Sequence, residues 1–453
     1  MFARTQSHLS SYKFSLLVLG FAALAACDSG QVVIREAGPI SPLDQSGPAL
    51  QMVQPELVGM NSQRLQRVTD EMQKFVDAGQ LAGVVTIAAR DNKIVHFEAV
   101  GSRDIESGDA MSKDDIFRIY SMSKPITGVA MMILYEEGKF KLSDPVEKYI
   151  PEFKDLQVAA GEDASGNIIT QPADHKMTIR ELMSHTGGLT YGIFSQSKVD
   201  TMYNDANVLD PDSTLQDMIS KLGKIPLRQQ PGSLWHYSVS VDVQGYLVEK
   251  LSGQKFGDFL EERIFTPLGM KDTDFYVPEE KADRLAQVYS YGPEGKLFPQ
   301  EGLGGANNYL VDQALESGGA GLVGTAMDYL RFAQMMLNGG ELDGVRILAP
   351  LTVEIMHRNQ LPKSVEGIAF GSAGTTFGLD FAIIEDTVEA ESYSKGEYYW
   401  SGAAGTWFWI DPVEDIVFVG MIQQFGGRNG QVPDMRGTSR RMVYQSIMEP
   451  KGI

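Results

Sequence analysis

In the stretch RIYSMSKPITG, Arg118 to Gly128, a serine and a lysine stand three residues apart, Ser121 and Lys124. On a helix that spacing puts both side chains on one face, so the lysine amine can reach the serine oxygen. The chemistry open to such a pair is nucleophilic. Burial costs the lysine proton affinity, a neutral amine takes the serine proton, and the serine oxygen attacks a carbonyl carbon. The pattern alone is common: Ser-x-x-Lys begins at Ser10, Ser121, Ser195, Ser252 and Ser392. A serine capping a helix beside a surface lysine satisfies it equally well.

The flanking elements choose among the five. Ser10 lies in the leader-like N-terminus described below. Gly253 follows Ser252 and ends the preceding helix, so Ser252 and Lys255 share no helical face. Ser392 sits in a polar segment broken by Gly396, and Ser195 can start only a short helix with no long apolar run behind it. After Ser121 the run SKPITGVAMMILYEEG predicts a buried helix, with Ile126, Val129, Ala130 and Ile133 at packing spacing. Pro125 has no N–H and belongs in a first turn, which places the helix start near Ser121. That start also favours negative charge developing nearby.

Around this helix, strand patterns gather at the two ends of the chain. Asn61 is a candidate cap for a helix carrying Leu65, Val68, Met72 and Phe75 on one face. GVVTIAARD and KIVHFEAVG read as strands joined at Asp91-Asn92, and GTWFWIDPVEDIVFVGMIQQF as two more around Asp411-Pro412. DMRGTSRRMVYQSIM predicts a closing helix. Between these ends the pattern is mainly helical with long loops, including a helix capped by Thr325 with Asp328. The expected architecture is α+β: one antiparallel sheet built from both chain ends, flanking helices and an inserted helical subdomain.

At 453 residues, 43% hydrophobic and 22% charged, the chain can bury a large core. Its net charge of −20 argues against nucleic acid, which needs a dense cationic surface. The N-terminus carries Arg4 and Lys13, then an apolar run from Phe14 to Ala26 that ends at Cys27, the only cysteine. This resembles a bacterial lipoprotein signal in which cleavage leaves Cys27 as the lipid-modified first residue. The expected layout is therefore a signal at 1–26, a flexible tether at 27–57 with a reach of roughly 30 Å, and a folded domain at 58–450. The expected location is the bacterial cell envelope, anchored by lipid on the periplasmic side. Asp28 implies inner-membrane retention if the enteric rule holds.

With its flanks, IFRIYSMSKPITGVAMMILYEEGKFKLSDPVEKYIPEF resembles the beta-lactamase-related serine hydrolases. That group spans class C beta-lactamases, D-alanyl-D-alanine peptidases and family VIII esterases. The likeness continues through MTIRELMSHTGGLTYG, PGSLWHYSVSVDVQGYLVEKLSG, GGAGLVGTAMDYLRFAQMMLNGG and YYWSGAAGTWFWIDP, and covers most of the chain from Asn61 onward. It implies a beta-lactamase-like fold, Ser121 as the acylated nucleophile and Lys124 as its proton partner. Tyr237 matches the family's general base. Trp400-Ser401-Gly402 aligns with the lactamases' Lys-Thr-Gly, and the backbone N–H groups of Ser121 and Ala403 would form the oxyanion hole.

Two departures shape the substrate expectation. Trp400 stands where lactamases carry a lysine, and Val239 where they carry an asparagine. Both changes remove polar recognition of a lactam or peptide. A wall of Trp400, Tyr399 and Tyr191 suits an apolar acyl or alcohol group. The expectation is a carboxylesterase on small or medium acyl esters, with lactamase, peptidase or acyltransferase activity and a non-catalytic binding protein as alternatives. Arg428 is a candidate to replace the lost cation.

No cofactor or metal is expected. Gly319 to Gly324 fits G-x-G-x-x-G, but no βαβ unit surrounds it, and a tight loop near the site is the better reading. His185 is expected to brace its loop, and His236 to be the histidine better placed to touch the site. The oligomeric state is not assigned.

Overall fold

Two hairpins, one from each end of the chain, supply the centre of the sheet. In this computed structural model, residues 50–292, 294–300, 309–371, 373–426 and 433–452 are described. Gly83–Arg90 pairs with Lys93–Asp104 through a turn at Asp91 and Asn92, both at positive φ of 54° and 59°. Left-handed residues at both positions match the right-handed twist of paired strands, and Asp and Asn tolerate them best. Trp407–Asp411 and Ile416–Met421 form the second hairpin, and Val85–Arg90 lies antiparallel to Met421–Ile416. The sheet then runs outward through Tyr398–Ser401, Ala382–Ile384 and Thr375–Phe377.

On the other edge, Gln51–Met52 adds in parallel to Lys93–Asp104, and Pro55–Val58 forms a 3-10 turn. The expected tether therefore gives way to folded chain by residue 50, because the Leu50 and Val53 amides donate to Asn92 and Ile94 carbonyls. Cys27, the leader and the rest of the tether lie outside the described residues.

The first helical stretch is divided: Asn61 caps Ser62–Leu65, accepting from the Arg64 amide, and Arg67–Asp77 follows with Val68 and Met72 buried. Met435–Tyr444 closes the fold, capped by Asp434. Between strands Asp109–Ala110 and Thr375–Phe377 the chain builds the inserted region, where Ser123–Glu136 packs against Ser240–Ser252. This region is less purely helical than its pattern predicted. It includes a solvent-exposed hairpin, Gln157–Glu162 with Ile168–Pro172, whose turn is closed by the Asp163 carboxylate accepting from the Ser165 and Asn167 amides. The Thr325 cap on Ala326–Leu337 is half a capping box. Its hydroxyl accepts from the Asp328 amide, while the Asp328 carboxylate turns to the Asp272 amide and Thr273 hydroxyl.

Candidate active site

Ser121 lies on a 3-10 turn, Tyr120–Met122, that leads directly into the helix Ser123–Glu136. Tyr120, just before it, has φ +43°, a conformation a non-glycine residue holds only when its surroundings fix it. Those surroundings are specific. The Ile119 amide donates to the Leu322 carbonyl at 3.0 Å, the Leu322 amide to the Ser123 hydroxyl at 3.1 Å, and the Tyr329 hydroxyl to the Met122 carbonyl at 3.0 Å. No side chain caps this helix, so Ser121 is not a capping serine.

Lys124 is fully buried, and its Nζ makes three hydrogen bonds: to Ser121 Oγ at 3.2 Å, Tyr191 Oη at 2.9 Å and the Gly319 carbonyl at 2.6 Å. Three oxygens thus converge on the amine, the number of hydrogen bonds a lysine side chain can donate. The other described Ser-x-x-Lys pairs do not meet this way: Ser195 bonds Asp200, Ser252 bonds the Val248 carbonyl, and Ser392 bonds Glu397. Lys255 and Lys395 instead pair with Glu316 and Glu385.

The glycine loop 319–324 is the tight loop the sequence implied. Val323–Gly324 pairs with Phe117–Arg118 and sets Gly319 over the lysine. A Cβ on Gly319 would lie 2.6 Å from Asp242 Oδ2 and 2.7 Å from Tyr191 Oη, so only glycine fits. Asp242, near the start of Ser240–Ser252, is fully buried and accepts from Ser317 Oγ at 2.5 Å and the Gly319 amide at 3.1 Å. Burial pushes its carboxyl up, against the pull of Lys124 and these donors.

Two tyrosines therefore flank one lysine, and their environments differ. Burial first, and then the Asp242 charge, hold the Tyr191 hydroxyl protonated well beyond the ordinary phenol range. Tyr191 is a poor base and a good anchor for Lys124, not only the substrate wall expected. The Tyr237 ring lies under Lys124, with Nζ 4.6 Å from its centroid, and its oxygen accepts from Trp400 Nε1 at 3.2 Å. Tyr237 also rests on His185 (4.9 Å between centroids) and Trp235 (5.9 Å, stacked).

His185, at φ +57°, shares a hydrogen bond with Ser238 Oγ, and burial holds its imidazole well below its usual range. It braces its loop as expected, and of the two histidines it is the one whose ring touches Tyr237. His236, expected to be better placed, turns to Thr190 Oγ1 at 3.0 Å, with its pKa lowered by burial to about 4. Thr190 also donates to Asp200 at 2.6 Å, and Asp200 takes the Ser195 and Ser197 hydroxyls. One carboxylate thus holds the loop that carries Tyr191.

Trp400 closes the site from near the end of strand Tyr398–Ser401, touching Tyr237 (5.5 Å) and Phe377 (5.4 Å). Strand alternation sends Tyr399 to the opposite face, under Arg436 at 3.5 Å, so Tyr399 is not part of the expected wall. Ser401 is exposed at the strand end. A Cβ on Gly402 would lie 2.5 Å from the Ile119 carbonyl, so a glycine brings this strand end against the turn that carries Ser121. The Gly402 amide is spent on the Thr406 carbonyl at 2.7 Å, and Ala403 follows in an exposed turn. Val239 is fully buried, its amide donating to the Thr190 carbonyl at 3.3 Å; it supports the Tyr191 loop from behind and offers a substrate no surface. Arg428 lies outside the described residues. Among the described residues, no group of three or more His, Cys, Asp or Glu is arranged to hold a metal ion.

A serine bonded to a buried lysine, with two tyrosines beside it, is an arrangement able to carry acyl transfer. The chain belongs to the Beta-lactamase family, whose profile matches residues 68–437. It is 31% identical over 349 residues to Esterase EstB of Burkholderia gladioli, covering 73% of this chain and 83% of that one. It is 27% identical over 399 residues to a Salmonella typhimurium protein named provisionally as a D-alanyl-D-alanine carboxypeptidase, covering 82% and 85%. Among solved structures it is similar to EstCE1, a hydrolase with promiscuous acyltransferase activity, with TM-score 0.70 and 28% identity over 84% of this chain and 99% of that one.

Proposed function

We propose that this serine hydrolase is a carboxylesterase acting on small or medium acyl esters. Trp400 carries the reading. It occupies the position where the related lactamases hold a cation, and its indole N–H is turned inward to Tyr237 Oη rather than outward to a substrate carboxylate. The wall it makes with Trp235, packed on the fully buried Phe377, is aromatic and suits an uncharged hydrocarbon group. The names of EstB and EstCE1 point the same way.

In the reaction, Ser121 Oγ attacks the ester carbonyl carbon and its proton passes to Tyr237 Oη, which acts as the phenolate. The tetrahedral oxyanion is held by the amides of Ser121 and Ala403, each such donor contributing roughly 3 kcal/mol. The C–O bond then breaks, the alcohol leaves with the proton from Tyr237, and water cleaves the acyl-enzyme by the same steps in reverse order. The test is a panel of p-nitrophenyl esters run beside nitrocefin. Butyrate ester turnover is expected to fall by about 10⁴-fold or more in Ser121→Ala, with nitrocefin turned over far more slowly than the ester. Full ester turnover by Ser121→Ala, or nitrocefin as the better substrate, would overturn the reading.

We propose further that Cys27 carries a lipid anchor in the cell envelope, on the strength of its place after the apolar run from Phe14 to Ala26. Radiolabelled palmitate should label the wild-type chain and not Cys27→Ser, which should move to the soluble fraction. Labelling of both would refute the anchor.

A further inference from the structure

Two aromatic rings outside the catalytic group close over Tyr237. Phe194 and Phe370 come from separate loops, meet edge to face at 5.2 Å, and each contacts the Tyr237 ring, at 5.5 and 5.3 Å. Phe194 is also edge-on to Tyr191 at 5.6 Å, and Phe370 to Trp235 at 6.1 Å. Both rings remain substantially in solvent, Phe194 44% and Phe370 53% exposed, and their sequence neighbours Ile193 and Leu234 (beside Trp235) are 66% and 55% exposed. Large apolar side chains clustered in this way at the mouth of a site mark a place where a ligand's apolar surface is taken out of water.

The two jaws are built differently. The Phe194 loop is fastened: Ser195 donates to Asp200, and Asn204 Nδ2 donates to the Gly192 carbonyl at 2.9 Å, where Gly192 has φ +82°. The Phe370 loop is held through Ser364 Oγ to the Gly232 carbonyl at 3.2 Å, the Val365 amide to the Pro362 carbonyl at 2.9 Å and the Gly371 amide to the Ile368 carbonyl at 3.4 Å.

Their place beside Tyr237 says which half of an ester they meet. The group that returns a proton to the leaving alcohol must lie within hydrogen-bond reach of that alcohol's oxygen. The hydrocarbon attached to that oxygen then extends over the rings stacked on Tyr237. We propose that Phe194 and Phe370 form a subsite for the alcohol half of the substrate, selecting an alkyl or aryl alcohol group rather than a short or anionic one. The inference rests on the esterase reading and on Tyr237 as the proton carrier. The rings offer only π faces, and the chain's charge of −20 disfavours an anionic group.

The test compares two ester series in the wild type and in Phe194→Ala/Phe370→Ala. In the alcohol series, octyl acetate is set against ethyl acetate; in the acyl series, methyl octanoate is set against methyl acetate. The octyl-to-ethyl ratio of kcat/KM is expected to fall at least tenfold, about 1.4 kcal/mol, while the octanoate-to-acetate ratio stays within about twofold. A fall in the acyl ratio instead, or no change in either, overturns the proposal. Calorimetric binding of 1-octanol to Ser121→Ala separates this inference from the esterase reading. If the wild type hydrolyses no ester but octanol binding weakens tenfold when both rings are removed, the subsite stands and the esterase reading falls. Octanol binding that is unchanged without the rings sinks the subsite. Thermal melting of the double variant controls for folding; both rings are half exposed, so its midpoint should stay near wild type.

Discussion

Tyr237→Phe is expected to lower kcat for ester hydrolysis by about 10³-fold, within the range that general acid–base groups contribute, while Tyr191→Phe lowers it by about tenfold. Both rings lie close to Lys124, with Nζ 5.3 and 4.6 Å from the Tyr191 and Tyr237 centroids, so ring proximity does not distinguish them. Their surroundings do. Tyr191 Oη bonds Lys124 Nζ directly, and its proton is held by burial and by the adjacent Asp242 charge. Losing that hydroxyl removes one of three acceptors around the lysine and loosens its position. Tyr237 has no carboxylate in its hydrogen bonds; it has a cation over its ring and an indole N–H on its oxygen. Tyr237 thus faces no carboxylate that would hold its proton, and its oxygen already takes an N–H donor, the arrangement proposed here for the proton carrier. Single-turnover acylation and steady-state kinetics measure the contrast. Equal losses, or the larger loss in Tyr191→Phe, would move proton transfer to the Tyr191 hydroxyl.

That contrast also shows what the sequence could and could not disclose. Ser121 and Lys124 were legible because a spacing of three is a local property, and Pro125 marks the first turn wherever the chain goes. The sheet was legible for a related reason: the hairpins Gly83–Asp104 and Trp407–Met421 alternate and turn locally, and their union needed only that both ends be strands. Asp242 was hidden. It sits five residues after Tyr237 in a helix start whose composition is ordinary, and its meaning comes from Gly319 and Tyr191, which are distant in sequence. Phe194 and Phe370 were hidden in the same way, because isolated phenylalanines in loops carry no period. Tyr399 is the opposite case. The period of two that made Tyr398–Ser401 a strand already put Tyr399 and Trp400 on opposite faces, so the expected wall contradicted its own element.

Lys124→Met is expected to combine a kinetic loss with a pH-dependent loss of stability, and the second effect tests the electrostatics alone. Methionine keeps most of the buried volume but removes the bonds to Ser121, Tyr191 and Gly319, so ester turnover should fall by at least 10³-fold. It also leaves Asp242 buried without the cation that pulled its carboxyl down. The folded-state pKa of Asp242, already raised by burial, then rises further above its unfolded value of about 4. A carboxyl shifted in that direction binds its proton more tightly in the folded state. Its contribution is fully present below pH 4 and is lost as pH rises through the folded pKa. Urea unfolding of Lys124→Met should therefore approach the wild type near pH 4 and fall short of it by roughly 3 kcal/mol at pH 8, the scale for stranding one member of a buried pair. Of the two buried carboxyls that Lys124 pulls down, Asp380 is already held well above the usual range by burial, so adding Asp242→Asn should remove most of that pH dependence while the double variant remains inactive. A stability deficit that is flat from pH 4 to 8, or one that the second substitution leaves sloping, would mean that Asp242 is not the charge Lys124 balances.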